Sequence, residues 1–199
     1  MAVNAPLDEQ GPDGSDAPVF PDILGPGLKV VFCGLNPGLS SAAVKRPFAN
    51  PTNRFWRVLH EAGFTPTRLA STDSQELLRY GCGLTTAVRR ATVGSDEIAT
   101  HEFVAGAAAL RMRIRTYAPV HLAFMGKAAY RAIERRTRVE WGLQAASFEG
   151  AQAWVMPNTS GLNRAFKLDA LIAAYGELRQ AAFADLSRTR TAASGTSPR

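Results

Sequence analysis

The chain has 199 residues, with 23 Lys and Arg against 17 Asp and Glu, and 46% of it is hydrophobic. That is enough for one domain with a full core and too little for two ordinary ones. Two cysteines cannot hold an iron–sulfur cluster, and no apolar run approaches the ~20 residues of a spanning helix. The start lacks a basic segment leading into an apolar one, so the expectation is a soluble, cytoplasmic protein, nucleoid-associated in a prokaryote.

Residues 1–20 carry Asp8, Glu9, Asp13 and Asp16 with no Lys or Arg, and with their Pro and Gly they read as a disordered acidic tail. Residues 187–199, SRTRTAASGTSPR, read as a flexible basic tail, which leaves a single domain over 21–186. Setting aside both tails and Asp22 raises the net charge above the +6 of the whole chain. Such a balance favours a polyanionic partner, although it speaks to association and not to fold.

The first apolar run, 28–35, is rich in Val and stops abruptly at Asn36-Pro37-Gly38. A buried strand ending at a tight polar turn fits this pattern: Pro37 fixes its own φ, and Gly38 allows a ligand close to the backbone. In open α/β sheets ligands sit beyond the carboxyl ends of the strands, so Asn36 would present a carboxamide at the mouth of a pocket. Next, Phe55, Val58, Leu59 and Ala62 recur at helical spacing, with Asn53 placed as an N-cap. A short strand near 82–86 precedes a second helical stripe of Phe103, Ala107, Leu110, Ile114 and Tyr117. A strand over 120–125 leads past Gly126 to a shorter helix marked by Ala129 and Ile133. The last strand, 152–156, is followed by a polar loop and a helix with Leu168, Leu171, Ile172, Tyr175 and Leu178 on one face. Strands alternating with helices predict an α/β fold, a three-layer α/β/α sandwich around a short, mostly parallel sheet.

Cys33 and Cys82 lie in apolar runs and read as buried free thiols. His60, His101 and His121 are scattered and unpaired with cysteine, so neither a metal nor a cofactor is expected. The loops beyond the strands are basic: Lys45 and Arg46 in the first, Arg89 and Arg90 in the second, Arg164 and Lys167 in the last. A basic rim on the side of the Asn-Pro-Gly turn suits the phosphates of DNA.

Two loop motifs carry a more specific message. Gly34-Leu35-Asn36-Pro37-Gly38-Leu39-Ser40-Ser41 and Pro157-Asn158-Thr159-Ser160-Gly161-Leu162-Asn163-Arg164 each follow an apparent strand. The pair resembles the two signature motifs of the mismatch-specific uracil/thymine DNA glycosylases, within the uracil-DNA glycosylase superfamily. The likeness continues through 47–56, 82–85 and 125–130, and spans roughly residues 21 to 183.

The resemblance implies a uracil-DNA glycosylase-like sandwich and a monomeric, monofunctional enzyme of base-excision repair. It would flip uracil from a mismatch in double-stranded DNA, chiefly G·U, and leave an abasic site. Asn36 takes the role of positioning the attacking water. Phe48 stacks on the extruded base, and backbone N–H groups around Leu35, Gly38 and Phe48 read its edge. Ser41 lies near C5 of the pyrimidine, where its hydroxyl would crowd a thymine methyl and favour uracil. Leu162 plugs the base stack, flanked by the backbones of Gly161 and Asn163 facing the orphaned guanine, and Arg164 supports the insertion. The family often has Ser where Asn163 stands. Asn158 faces the flipped base or sugar and replaces the histidine of the most active uracil-excising relatives, whose acid in the first motif is also missing here.

That missing acid directs attention to Gly94-Ser95-Asp96-Glu97, the one acidic stretch near the proposed face. Asp96, or less readily Glu97, could assist the water; alternatively Asp96 or Ser95 caps the next helix. No lysine matches a Schiff-base nucleophile, so strand cleavage is not expected. Two other classes remain open at this point. A noncatalytic mismatch-binding protein would use the same rim and plug. A nucleotide-binding enzyme ranks below it, because G-x-G-x-x-G and Lys-Ser/Thr patterns are absent.

Overall fold

The segment Val-Val-Phe-Cys-Gly is buried along its whole length and forms β1 (Val30–Gly34). It lies inside a five-stranded sheet, beside β2 (Cys82–Thr86) and β3 (His121–Met125), with β5 (Ala151–Met156) and then β4 (Gly142–Phe148) beyond β3. The structure, a computed structural model, describes residues 21–193, with side chains as far as 184. The segment 1–20 and residues 194–199, parts of the two expected tails, lie outside the described residues.

All pairings among β1, β2, β3 and β5 are parallel, and only β4 runs antiparallel to its neighbour. Parallel strands are covered on both faces, so their sequences need no alternation of polar and apolar residues. Phe32, Trp154 and Met156 point to one layer, with α2 (Phe55–Glu61) and α5 (Leu168–Ala193). Val31, Phe124 and Val155 point to the other, with α3 (Thr100–Tyr117) and α4 (Lys127–Ile133). On the first side, Phe32 meets Phe55 and Phe64 edge-on at 5.6 and 5.3 Å and stacks on Tyr175 at 6.0 Å. The α/β fold with helices over both faces of a mostly parallel sheet is the one expected. Among the described residues no helix is long and apolar enough to cross a membrane.

Several details differ from the sequence reading. β4 was not anticipated. It is an edge strand whose outward residues, including Leu143 and Ser147, are exposed, and Gly, Gln and two Ala dilute its β signal. The 3-10 segment Ser71–Tyr80 was not foreseen either. Arg54, not Asn53, occupies the N-cap of α2, although the Asn53 carboxamide still accepts the Phe55 N–H at 3.0 Å. Ala99 is the N-cap of α3, so neither Asp96 nor Ser95 holds that place. Asp22, set aside with the acidic tail in the charge count, belongs to the fold: it accepts from Thr85 Oγ1 at 2.8 Å and pairs with Arg89 at 2.7 Å. Cys33 and Cys82 are buried and unpaired, and burial pushes both thiols up to about 12, far from reactive thiolates.

β3 and β5 are also joined by a buried polar bond. Trp154 Nε1 donates to His121 Nδ1 at 3.1 Å, which requires the neutral imidazole. Burial, aided by Lys29, lowers the His121 pKa below its usual 6.5. Below that value the unfolded chain takes up a proton that the folded form refuses, so stability is lost as pH falls. The urea midpoint is therefore expected to drop from pH 7 to pH 5 and to drop less in His121→Gln. An equally steep profile in the variant would remove His121 from the account.

Candidate active site

Because β2, β1, β3 and β5 are parallel, their carboxyl ends emerge at one edge of the sheet. From β1 the chain goes to β2 on one side and later to β3 on the other, which opens a crevice at the reversal. A cavity of about 410 Å³ lies there, within the size range of small-ligand sites. Of the residues singled out from sequence, Leu35, Asn36, Gly38, Ser41, Phe48, Asp96, Asn158, Leu162 and Asn163 line it, and Gly161 and Arg164 do not. Asn36 and Leu162, 126 positions apart in the chain, share one cleft.

Asn36 is held by residues far away in sequence, not by its own turn. Its Nδ2 donates to the Arg90 carbonyl at 2.9 Å and to Thr92 Oγ1 at 2.7 Å. A carbonyl only accepts, and Thr92 Oγ1 spends its own proton on the Gly94 carbonyl at 2.7 Å. The amide orientation follows: both N–H groups face the loop, which leaves Oδ1 as the acceptor for the cavity. The strap 90–94 is itself tied to the first motif by Leu39 N–H to Thr92 O and Thr92 N–H to Pro37 O.

Two other carboxamides are turned the opposite way. Asn158 Oδ1 accepts the Ser160 N–H at 2.7 Å. Asn53 Oδ1 accepts from Phe55 N–H at 3.0 Å and from Thr159 Oγ1 at 2.9 Å. Both residues line the cavity, and with Oδ1 engaged each has Nδ2 left to donate. Asn53 was read from sequence only as a cap, and nothing local marks its second use. Phe48 has one face stacked on Phe55 at 4.0 Å, and the ring also lines the cavity. Its φ of 53° is unusual for a bulky residue and is held by neighbours, with Ala49 N–H on Ser41 Oγ at 3.1 Å. The backbone N–H groups of Gly38 and Phe48 have no partner among the described residues.

Leu162 projects from the second motif with 76% of its surface exposed. The loop beneath it is gripped by Arg54. Its guanidinium donates to the carbonyls of Phe166 at 2.7 Å, Ser160 and Asn163 at 2.9 Å, and Thr159 at 3.4 Å. Gly161 passes so close to Thr52 that a Cβ would come within 2.6 Å of Thr52 Oγ1. Asn163 is spent on the loop itself: its N–H goes to Ser160 O, its carbonyl accepts from Arg54, and Nδ2 bonds Asn158 O at 2.7 Å. Both backbone groups of Asn163 are thus engaged within the protein. Arg164 is exposed and enters no hydrogen bond or ion pair among the described residues, whereas Arg54 grips the loop from over a hundred positions away in sequence.

The basic rim is thinner than expected. Arg89 pairs with Asp22, and Arg90 with Glu102, whose carboxyl it holds down at about 2. Lys45, Arg46, Arg164 and Lys167 remain exposed without ion pairs among the described residues. Lys127 also reaches the cavity wall, with Nζ 4.6 Å above the Trp141 ring. Asp96 lines the cavity as well, exposed, and its Oδ1 lies over Gly94, where a Cβ would collide with it. It caps nothing: Glu97 accepts the Gly94 N–H, and Glu102 accepts the Ala99 N–H. No group of His, Cys, Asp and Glu among the described residues could hold a metal ion.

The sequence profile of the Uracil DNA glycosylase superfamily matches residues 21–186. Among solved structures, the solution NMR structure of a protein from Methanosarcina acetivorans, provisionally assigned as a uracil DNA glycosylase, is similar in fold. The TM-score is 0.56 at 20% identity, over 82% of this chain and 98% of the other.

Arg54 offers a clean test of the loop geometry. Lysine keeps the charge but cannot fork across four carbonyls. Arg54→Lys is expected to raise hydrogen exchange at the amides of 160–166 by at least about tenfold, an opening cost of roughly 1.4 kcal/mol, while β1 amides stay protected. Unchanged exchange in the loop would show that it stands without the guanidinium.

Proposed function

The chain belongs to the uracil DNA glycosylase superfamily, and on that premise we propose that it is a monomeric, monofunctional glycosylase of the mismatch-specific type. It flips uracil out of double-stranded DNA, chiefly from G·U, and hydrolyses the N-glycosidic bond to leave an abasic site. The observation that carries this reading is the opposed orientation of three carboxamides in one cavity, one acceptor and two donors.

Hydrolysis brings water to C1′ of the sugar as the C1′–N1 bond breaks and its electron pair leaves with the base. The sugar becomes cationic and the base anionic in the transition state. Asn36 Oδ1 accepts a hydrogen bond from the water and aims its lone pair, but an amide is too weak a base to take the proton. Asp96, which also lines the cavity, is the carboxylate that receives it and faces the sugar cation. The Nδ2 groups of Asn53 and Asn158 donate to the oxygens of the departing base, with the N–H groups of Gly38 and Phe48 on its edge. Donors aimed at developing charge contribute about 10²–10³ each in rate. Phe48 offers its open face to the base, a stack worth ~1–3 kcal/mol. Ser41, buried against the same wall, disfavours a C5 methyl. Leu162 fills the gap in the stack, as apolar wedges do in kinked DNA. Extrusion costs least where pairing is weak, which favours G·U over A·U.

Duplexes carrying one G·U, G·T or A·U pair, incubated with the protein and then treated with alkali, test the reading. Breaks that need alkali and rank G·U first are expected; binding without breaks would instead indicate a mismatch-binding protein. Asn36→Ala is expected to keep its affinity for the duplex and to lose excision by about 10²-fold or more.

Asp96 is tested separately under single-turnover conditions. Asp96→Ala and Asp96→Asn should both slow excision by about tenfold or more. Rates near wild type in both would leave Asn36 to work without a carboxylate.

A further inference from the structure

The neighbours Arg89 and Arg90 stand where the chain leaves β2 and turns into the strap 90–94. Each is anchored on an acid from a different part of the fold. Arg89 donates to Asp22 at 2.7 Å. Arg90 grips Glu102, in the first turn of α3, with two nitrogens at 2.8 and 2.9 Å, and also reaches the Glu97 carbonyl at 3.0 Å. The acids are themselves fixed. Asp22 precedes Ile23, which exchanges both backbone bonds with Leu84 of β2, and it accepts from Thr85 Oγ1 at 2.8 Å. Arg113 of α3 approaches the same carboxylate at 3.4 Å while donating to the Thr86 carbonyl at 3.0 Å. Glu102 accepts the Ala99 N–H at 2.9 Å.

The backbone that these two arginines carry is the one that faces Asn36. Val88 N–H bonds to Leu35 O and Thr92 N–H to Pro37 O, so the segment 88–92 runs beside the first motif. Within it the Arg90 carbonyl accepts from Asn36 Nδ2 at 2.9 Å, next to the bond from Nδ2 to Thr92 Oγ1 at 2.7 Å. A carbonyl accepts and cannot donate, so an amide flipped end for end would set oxygen against oxygen. The course of this one peptide therefore selects which end of Asn36 meets the cavity. None of Asp22, Arg89, Arg90 and Glu102 lines that cavity, whereas Asn36 does. Their effect on a bound substrate has to pass through residues that touch it.

We propose that Arg89 and Arg90 are positioning residues: anchored on Asp22 and Glu102, they fix the Arg90 carbonyl that turns Asn36 Oδ1 toward the cavity. That excision depends on them rests on the glycosylase reading. Both ion pairs are partly exposed, and such pairs add little to stability by themselves. Their consequence is geometric. A reacting group displaced by about 1 Å through a change remote from the chemistry can lose up to about 10² in rate. The basic dipeptide thus serves the orientation of a neutral amide and not the capture of phosphate.

The test compares the full chain with D22N/E102Q, in which each acid becomes an amide of nearly the same shape, and with Glu134→Gln as a control. Glu134 pairs with Arg111 at 2.6 Å, is buried to a similar degree as Asp22 and Glu102, and lies outside the cavity lining. The first readout is the side-chain amide of Asn36 in ¹⁵N–¹H spectra, identified by its loss in Asn36→Ala. The second is single-turnover excision from a G·U duplex at saturating enzyme, so that affinity does not enter. In the double variant the Asn36 amide protons are expected to shift and to exchange with solvent at least about tenfold faster, and excision to slow by about tenfold or more. Both readouts should stay at wild type in Glu134→Gln. If the double variant does not fold, Asp22→Asn and Glu102→Gln are measured singly in the same way. An Asn36 amide that keeps its shifts and exchange overturns the proposal. So does an equal response in the control, or a displaced amide with excision at the wild-type rate. A displaced amide in a protein whose wild type excises nothing keeps the positioning role and removes the glycosylase reading.

Discussion

The guanidinium of Arg54 is the contact on which the cavity depends. It stands at the N-cap of α2, directly after the first motif's long loop, and its donors end on four carbonyls of the second motif's loop. Those carbonyls belong to a segment with no regular structure and so have no ladder or helix to satisfy them. An always-charged planar fork meets several of them at once. Without that clamp, the loop carrying Leu162 would be held only near its start, through Pro157 and Thr159. Tyr175 secures the same loop at its root, donating from its buried hydroxyl to the Pro157 carbonyl at 3.1 Å.

A similar economy governs the other wall. Thr92 is buried and has one hydroxyl; it accepts from Asn36 and donates to Gly94, so a single side chain sets the orientation of the amide and the course of the strap. Orientation decides what each carboxamide can do, since its two ends are opposite in polarity and nearly equal in shape. Asn36 is turned to accept, and Asn53 and Asn158 are turned to donate, in each case by a partner whose own polarity leaves no choice. The cavity is thus polarised without a buried charge, and it avoids the desolvation cost that an ionised group would impose.

How much of this could be read from the chain follows from the range of the interactions. β1 is legible because Val30, Val31 and Phe32 are apolar, stiff and contiguous, and both faces need them. α3 is legible because Phe103, Leu110 and Ile114 fall on one stripe. β4 escapes because an edge strand with one wet face can be built from Gln, Ala and Ser without penalty. The two Gly-rich motifs are legible as a pair, and the cleft does bring Asn36, Phe48, Asn158 and Leu162 together. Arg54, Thr92 and the donor role of Asn53 are not legible, since each acts on partners 50 or more positions away or through the orientation of a side chain. The rim was overcounted for the same reason: Arg89 and Arg90 look free in sequence, while their acids, Asp22 and Glu102, come from other elements.

The placement of neutral and charged groups bears on what the proposed reaction can accept. A site whose donors are amides stabilises a leaving anion less than one with a cation would, so the base must leave well by itself and arrive with little pairing to break. Uracil opposite guanine meets both conditions, and the cost of extrusion then acts as the filter. The exposed cations Lys45, Arg46 and Arg164 stand outside the cavity lining, where the proposed duplex would bring phosphates and not the base. Binding and selection are separated in space by this layout. In the proposed reaction affinity for a duplex comes from the rim, and discrimination from a pocket whose hydrogen-bond donors to the base are neutral amides.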